Sequence, residues 1–222
     1  MNLKRYILLV TAFLLIASTT SGALPISAEL VEVGKIWDKA PHNAFTDLIC
    51  WNHRLYCVFR EGRSHVSTDG RIRVLESEQG DLWSSAALVS LNGYDLRDPH
   101  ICASPDGRLM LVGGAAPRKR DNERAPTGTF VSFSNNGRNW TKPQIVLQPG
   151  RWLWRVTWHK TKAYGVSYTA GHGQQPFLTL HTSSDGIHFR PIVDVLFKAG
   201  FPGEATLRFD LDGTCYALSL IH

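Results

Sequence analysis

The 222-residue sequence has no long apolar run after its first 17 residues, so it predicts no membrane-spanning helix beyond the N-terminus. It also lacks a strong excess of either charge, with 24 Lys and Arg against 19 Asp and Glu, which does not favour a nucleic-acid partner. The cysteines form no Cys-x-x-Cys pair, which argues against the usual zinc motif. Because no other pattern indicates a metal or an organic cofactor, we expect the protein to work with neither.

Cysteine itself is scarce, and the four residues are Cys50, Cys57, Cys102 and Cys215. They lie in apolar, strand-like runs, so we expect buried free thiols. Cys50 and Cys57 share a predicted hairpin whose turn is Asn52-His53. In that register the two thiols are not directly opposite each other, so a disulfide between them is not expected.

The N-terminus has the pattern of a secretory signal peptide over residues 1–23. Lys4 and Arg5 precede an apolar run at residues 6–17, and the small residues 21–23 fit a cleavage site. Polar residues follow the apolar run directly, which favours a cleaved signal over the alternative, an uncleaved anchor. We therefore expect a secreted or periplasmic mature domain over residues 24–222 that has no membrane partner.

One short phrase occurs three times, at residues 77–83, 134–140 and 183–189, with starts about 50 residues apart. Its pattern is Ser-x-[Asp/Asn/Gln]-Gly-x-x-[Trp/Phe]. The polar side chain can bond the amides of a turn, the glycine accepts a positive φ, and the aromatic ring packs. A phrase of this kind between strand-like runs indicates a repeated supersecondary unit.

The sequence shows no long amphipathic helix, and its strand-like runs occur in sets of four. The first runs of the sets cover residues 46–51, 99–104, 155–159 and 206–210, and the repeated phrase lies between third and fourth runs. Four antiparallel strands per repeat predict an all-β propeller. The chain holds three such blades and one further hairpin, about three and a half blades. We expect either that it is part of a larger ring or that something else covers its open strand edge.

Propeller geometry separates the repeated phrase from the start of each first strand, which lies on the opposite, "top" face. Charged, histidine and tryptophan residues collect on that top face. The candidate ligand-binding residues are His42, Arg60, Glu61, Arg97, Asp98 and Arg155, beside Trp152 and Trp154. Arginine forks suit a carboxylate, and carboxyl groups suit general acid–base chemistry. The alternative for any one arginine is a structural ion pair with a neighbouring Asp or Glu.

With these motifs the chain resembles the sialidase (neuraminidase) superfamily, specifically secreted bacterial Asp-box (BNR) proteins. The three phrases are similar to Asp-boxes that are one residue shorter than usual. Residues 59–72 resemble the family segment with an acid/base aspartate, and residues 201–206 resemble the segment with a glutamate. The resemblance covers residues 37–218. It implies a six-bladed propeller that hydrolyses terminal sialic acid of glycans, with Asp69 as acid/base and Glu204 as the partner of a tyrosine nucleophile.

The resemblance also implies a triad of arginines, from which this sequence departs. Residues 42–47 hold no arginine where the family has its first, and residues 216–220 hold none where the second is expected. Arg60, Arg97 and Arg155 are an alternative source of positive charge. Three hypotheses stay open: a sialidase-type glycoside hydrolase, a non-catalytic carbohydrate-binding propeller, and a fragment that has no function of its own.

Overall fold

The computed structural model describes residues 27–118, 126–170 and 175–221, and the predicted signal peptide lies outside them. The chain divides into two units, Met1–Gly34 and Lys35–His222, and every strand of the described residues lies in the second unit. The described residues of the first unit form no regular secondary structure. Within the described ranges, no helix is long and apolar enough to cross a membrane.

The described residues form fourteen strands in four antiparallel sheets. Blade 1 contains β1 (His42–Trp51), β2 (Arg54–Gly62), β3 (Arg71–Ser77) and β4 (Ser84–Val89). Blade 2 contains β5 (Tyr94–Ala103), β6 (Leu109–Pro117), β7 (Gly128–Ser134) and β8 (Gln144–Val146). Blade 3 contains β9 (Arg151–His159), β10 (Lys162–Thr169), β11 (Leu178–Ser183) and β12 (Arg190–Phe197), and blade 4 contains β13 (Pro202–Phe209) and β14 (Cys215–Ile221). The predicted all-β propeller with about three and a half blades is confirmed.

The first strand of each blade is its inner strand. β1 contacts β5, β5 contacts β9, and β9 contacts β13, so the inner strands follow one another as in a propeller. Apolar side chains fill the space between blades: one cluster joins blades 1 and 2, a second joins blades 2 and 3, and a third joins blades 3 and 4. Burial of these side chains is the main favourable contribution to folding, and it holds the inner strands side by side.

The repeated phrase forms the same turn three times. In each copy the serine Oγ accepts a hydrogen bond from the glycine amide, at 2.8, 2.9 and 3.0 Å. The glycines Gly80, Gly137 and Gly186 have φ of +95°, +73° and +74°, a region that residues with a Cβ resist. The turns join third and fourth strands, so they shape the blades and take no part in the site described below.

The cysteines differ from the expectation in their exposure. Of the four free thiols, Cys57 is buried and Cys102 is half-buried, whereas Cys50 and Cys215 are exposed, so the prediction of burial is wrong for those two. Both exposed residues lie on strands with outward-facing residues, β1 and β14. In β1 and β2, Cys50 pairs with Leu55 and not with Cys57, as the Asn52-His53 turn predicts.

A buried polar network lies inside blade 3. Arg151 Nη2 donates to Ser167 Oγ at 2.9 Å, and Ser167 Oγ lies 2.8 Å from His181 Nε2. Arg151 Nε also donates to Ser167 Oγ, at 3.2 Å, so both lone pairs of the hydroxyl are occupied and its proton points to His181 Nε2. The His181 ring is therefore neutral, with its proton on Nδ1. All three side chains are buried, so the network ties β9, β10 and β11 together.

This network predicts a loss of stability in mild acid. Burial, followed by the Arg151 charge, lowers the pKa of His181 from 6.5 to about 4. The unfolded chain therefore binds a proton that the folded protein excludes, and stability falls as the pH drops from 6.5 towards 4. We expect His181 alone to account for about 3 kcal/mol of that loss. Urea unfolding of wild-type and His181→Gln protein at pH 7 and pH 4.5 measures this loss of stability. An equal loss in both proteins would contradict its assignment to His181.

Candidate functional site

All four inner strands carry a β-bulge at the same place. Each has two residues opposite one residue of the second strand, and the irregularities fall between Ala44/Asp47, Arg97/His100, Leu153/Val156 and Gly203/Thr206. A bulge of this kind bends the strand and re-aims the side chains beside it. Because the inner strands are neighbours, the four bulges bring one residue of each blade to corresponding positions.

The first residues of the four bulges are Phe45, Asp98, Trp154 and Glu204, which we call the bulge ring. Three of them have a left-handed backbone, with φ of +60° at Phe45, +43° at Asp98 and +49° at Glu204. This conformation is unfavourable for residues with a Cβ, and a bulky aromatic has no local reason to adopt it. Such strain is concentrated at functional sites, so the bulge ring is the candidate site.

Asp98 is the buried carboxyl group of the ring. Among the residues that the structure describes, its Oδ1 has no hydrogen-bond partner. Burial raises the pKa of Asp98 above its ordinary value; the negative charge of Glu204 acts in the same direction and Arg97 against it. The Glu204 carboxyl is exposed by comparison. The site therefore holds one buried carboxyl group that favours its proton and one exposed carboxyl group close enough to act on it.

Aromatic side chains line the same region. Trp152 and Tyr168 stack, with ring centroids 5.8 Å apart and planes 18° apart, and Trp154 lies 6.3 Å from Tyr168. Burial raises the pKa of Tyr168, and the charges of Glu204 and Asp98 raise it further. Tyr168 is therefore a neutral hydroxyl beside the two carboxyl groups, suited to donate a hydrogen bond and not to act as a phenolate.

Arg155, predicted to bind ligand, belongs to a network across three blades. Its Nη2 donates to Asp47 Oδ1 at 3.0 Å and lies 2.8 Å from His100 Nδ1. Burial raises the pKa of Asp47, but the hydrogen bond from the Ile101 amide and the charge and hydrogen bond of Arg155 oppose it, and the pKa is lowered overall. The Arg155 charge is thus matched by a protein carboxylate.

The same contact fixes the tautomer of His100. Because Arg155 can only donate, His100 Nδ1 accepts and its proton is on Nε2. That Nε2 is buried and has no partner within the described ranges, and the ring lies edge-on to Trp154 at 5.0 Å. His100 therefore places an N–H donor beside the bulge ring.

Two other predicted ligand residues are held by protein partners. Arg60 is completely buried and pairs with Asp95 at 3.0 Å and with Ser67 Oγ at 2.9 Å. Glu61 is buried and accepts two hydrogen bonds from Arg73, at 2.8 and 3.0 Å. Both side chains join strands or loops, so we leave them out of the site that we propose below.

His42 and Arg97 both contact His65, whose ring lies beside that of Phe45 in the bulge ring. The His42 and His65 rings are 5.7 Å apart, and Arg97 Nη2 donates to the His65 carbonyl at 3.4 Å. His42 Nε2 and Arg97 Nε are buried without a partner among the described residues. Of the three predicted arginines, Arg97 is the one that forms no salt bridge with an Asp or Glu among the described residues.

Asp69, the predicted acid/base, lies in the loop after β2. It is half-buried, and its carboxylate pairs with Arg63 at 3.3 Å. A hydrogen bond from Ser67 lowers the pKa of Asp69, and Arg63 contributes in the same direction. The environment of Asp69 therefore lowers the pKa of its carboxyl group, whereas that of Asp98 raises it. In the part of the chain that the structure describes, no group of three or more His, Cys, Asp or Glu is arranged to hold a metal ion.

Sequence reasoning missed several members of this region. It assigned roles to Asp98 and Glu204 but none to Phe45, His100 or Tyr168. No motif marks these three, because their proximity depends on the bulges and on contacts between blades. The left-handed backbone conformation of Phe45, Asp98 and Glu204 could be recognised only from the structure.

Comparison with solved structures shows the fold. A protein of unknown function from Dyadobacter fermentans superimposes with a TM-score of 0.68 at 18% identity, over 80% of this chain and 62% of that one. Penicillium chrysogenum α-L-arabinanase in complex with arabinobiose gives 0.64 at 16% identity, over 81% and 57%. Trypanosoma rangeli sialidase in complex with the inhibitor DANA gives 0.62 at 12% identity, over 81% and 34%. The chain thus spans less than two thirds of each of these proteins.

No family model and no curated protein sequence matches the chain. The structural neighbours are propeller-type proteins that include both arabinanases and sialidases. At these identities the likeness extends to the fold alone. The propeller part of the resemblance is therefore confirmed, and its assignment to sialidases stays a prediction.

Proposed function

We propose that the protein is a glycoside hydrolase whose reaction centre is the bulge ring, with Asp98 as general acid and Glu204 as the second carboxyl group. The observation that carries this proposal is the pairing of a buried, proton-favouring carboxyl group with an exposed one at equivalent bulges of blades 2 and 4. The solved arabinanase and sialidase of the same fold support the class of reaction.

The two carboxyl groups match what glycoside hydrolysis requires. One carboxylic acid protonates the oxygen of the leaving group, and one carboxylate acts as base or nucleophile on the sugar. Burial and the neighbouring charge favour the protonated form of Asp98, so Asp98 takes the first role. Trp154 supplies an aromatic face for the sugar ring beside it, a common lining of ligand pockets.

The substrate follows from the cations that remain available. Arg155 is matched by Asp47 and Arg60 by Asp95, which leaves Arg97 to bind a sugar carboxylate. We propose a terminal sugar of a glycan as the substrate. Sialic acid, held by Arg97, and an uncharged pentose are the two versions that the site admits.

A panel of fluorogenic glycosides tests this proposal. We expect the purified full-length protein to release the fluorophore from at least one of the α-sialoside, α-L-arabinofuranoside and common hexosides. Release from the sialoside alone, lost in Arg97→Ala, would support the sialidase version; release from a neutral glycoside supports the other. No turnover of any glycoside would overturn the proposed reaction.

A second candidate is a non-catalytic carbohydrate-binding propeller. The partly exposed rings of Trp154 and Tyr168, with the buried Trp152 packed against them, favour it, because aromatic rings can bind a sugar without the carboxyl groups. Two results together would establish this function instead. The protein would bind sugars on a glycan array and lose this binding in Trp154→Ala, and it would turn over no glycoside in the fluorogenic panel.

A further inference from the structure

Phe45 stands in blade 1 at the bulge position that Asp98 and Glu204 occupy in blades 2 and 4. Its φ is +60°, and 42% of the residue is exposed to solvent. A large apolar side chain with a strained backbone and an exposed ring gains little for folding at this position. Its conformation is thus better explained by what the ring contacts outside the protein.

The contacts of Phe45 lead towards the reaction centre. Its ring lies 5.6 Å from the His65 ring, and the His65 carbonyl accepts the hydrogen bond from Arg97, the residue before Asp98. On the other side of Asp98 in blade order, Trp154 holds the equivalent position in blade 3. The proposed acid therefore has one aromatic bulge residue in the blade before it and one in the blade after it.

We infer that Phe45 is a specificity-determining residue that binds the sugar on the leaving side of the scissile bond, while Trp154 binds the sugar on the other side. This inference rests on the proposed hydrolysis, since a general acid acts on the oxygen between two such groups. An aromatic face recognises the apolar C–H face of a sugar ring without regard to charge. The substrate class is therefore a glycan of at least two sugars.

Kinetics of Phe45→Gly test the inference on two substrates: the disaccharide and the methyl glycoside of whichever sugar the fluorogenic panel identifies. We expect KM for the disaccharide to rise about 10-fold, with a much smaller change in kcat, and KM for the methyl glycoside to stay the same. Phe45→Trp keeps an aromatic face and should retain the wild-type KM. Leu48→Ala, an exposed residue of the same strand, is the matched control and should change neither substrate.

Stability separates this role from a structural one. Glycine removes the backbone strain at φ +60°, which offsets the lost packing, so we expect the Tm of Phe45→Gly to lie within about 3 °C of the wild-type value. Equal KM changes for both substrates, no change for either, or a large fall in Tm would each overturn the inference while leaving the proposed reaction intact. Absence of turnover by the wild-type protein would overturn both.

Discussion

The Asp98→Asn protein will hydrolyse its glycoside about 10²- to 10⁴-fold more slowly than the wild-type protein, the range expected when a general acid is lost. Its Tm at neutral pH will be equal to or above the wild-type value. Asparagine cannot supply the proton, which explains the rate. Steady-state kinetics and thermal unfolding of the same preparation measure both effects, and a slow enzyme with a much lower Tm would instead indicate a structural role.

The expectation for stability follows from three properties of Asp98. Burial and the charge of Glu204 raise its pKa, so stability falls as the pH rises from the ordinary pKa of 3.8 to the raised one and stays lower above it. Its Oδ1 has no partner among the described residues, so the substitution removes no hydrogen bond there. Its φ of +43° is a conformation that asparagine tolerates better than most residues.

Asp69→Asn is the matched control for that experiment. Asp69 is the acid/base residue that the sialidase resemblance implies, yet a Ser67 hydrogen bond and Arg63 lower its pKa. We expect the rate of this variant to stay within about 3-fold of wild type, since a group that is ionised at the working pH is a poor general acid. The opposite pattern, with Asp69→Asn slow and Asp98→Asn unchanged, would reinstate Asp69 and remove Asp98 from the reaction.

Replacing Arg60 by alanine will lower the free energy of unfolding by about 3–5 kcal/mol, the range for breaking a buried ion pair. Arg60 is completely buried and its removal leaves the Asp95 carboxylate buried without its cation. It also removes hydrogen bonds to Ser64 and Ser67, so the loop between β2 and β3 loses its anchor. Urea unfolding at pH 7 measures the change.

Acidification should reduce this effect. Burial raises the pKa of Asp95 and Arg60 opposes that rise, so in Arg60→Ala the carboxyl group becomes protonated more readily. Protonation removes the unpaired charge, and the difference from wild type should shrink as the pH falls. Arg63→Ala is the control: its side chain is 75% exposed, and we expect a change below about 1 kcal/mol. Unchanged stability with weakened ligand binding in Arg60→Ala would restore the predicted ligand role of Arg60.

The blades could be predicted from the sequence because their signals are local. The phrase at residues 77–83, 134–140 and 183–189 marks the same turn each time, and Asn52-His53 forms the predicted hairpin with φ of +49° and +60°. The inner strands, in contrast, begin four or five residues before the predicted starts, as in β5, which begins at Tyr94 instead of residue 99. Alternation of polar and apolar residues fails there because each bulge shifts the pattern by one residue.

The site could be predicted only in part, for a physical reason. Asp98 and Glu204 carry recognisable chemistry, but Phe45 becomes a site residue through the backbone alone. The residues next to an arginine in the sequence also do not show whether its charge is paired with a carboxylate in the fold. Arg60 meets Asp95 across 35 residues and Arg155 meets Asp47 across 108, so these pairs exist only in the folded propeller.

The pH dependence of kcat/KM for wild-type and Glu204→Gln protein tests most directly whether the Asp98–Glu204 pair is the reaction centre. For the wild-type protein we predict a bell-shaped profile whose alkaline limb reports loss of the Asp98 proton. In Glu204→Gln we predict a loss of at least about 10²-fold. In the remaining activity the alkaline limb should move to lower pH, because the charge that raises the pKa of Asp98 is gone. An unchanged rate, or an alkaline limb at the wild-type pH, would contradict the account.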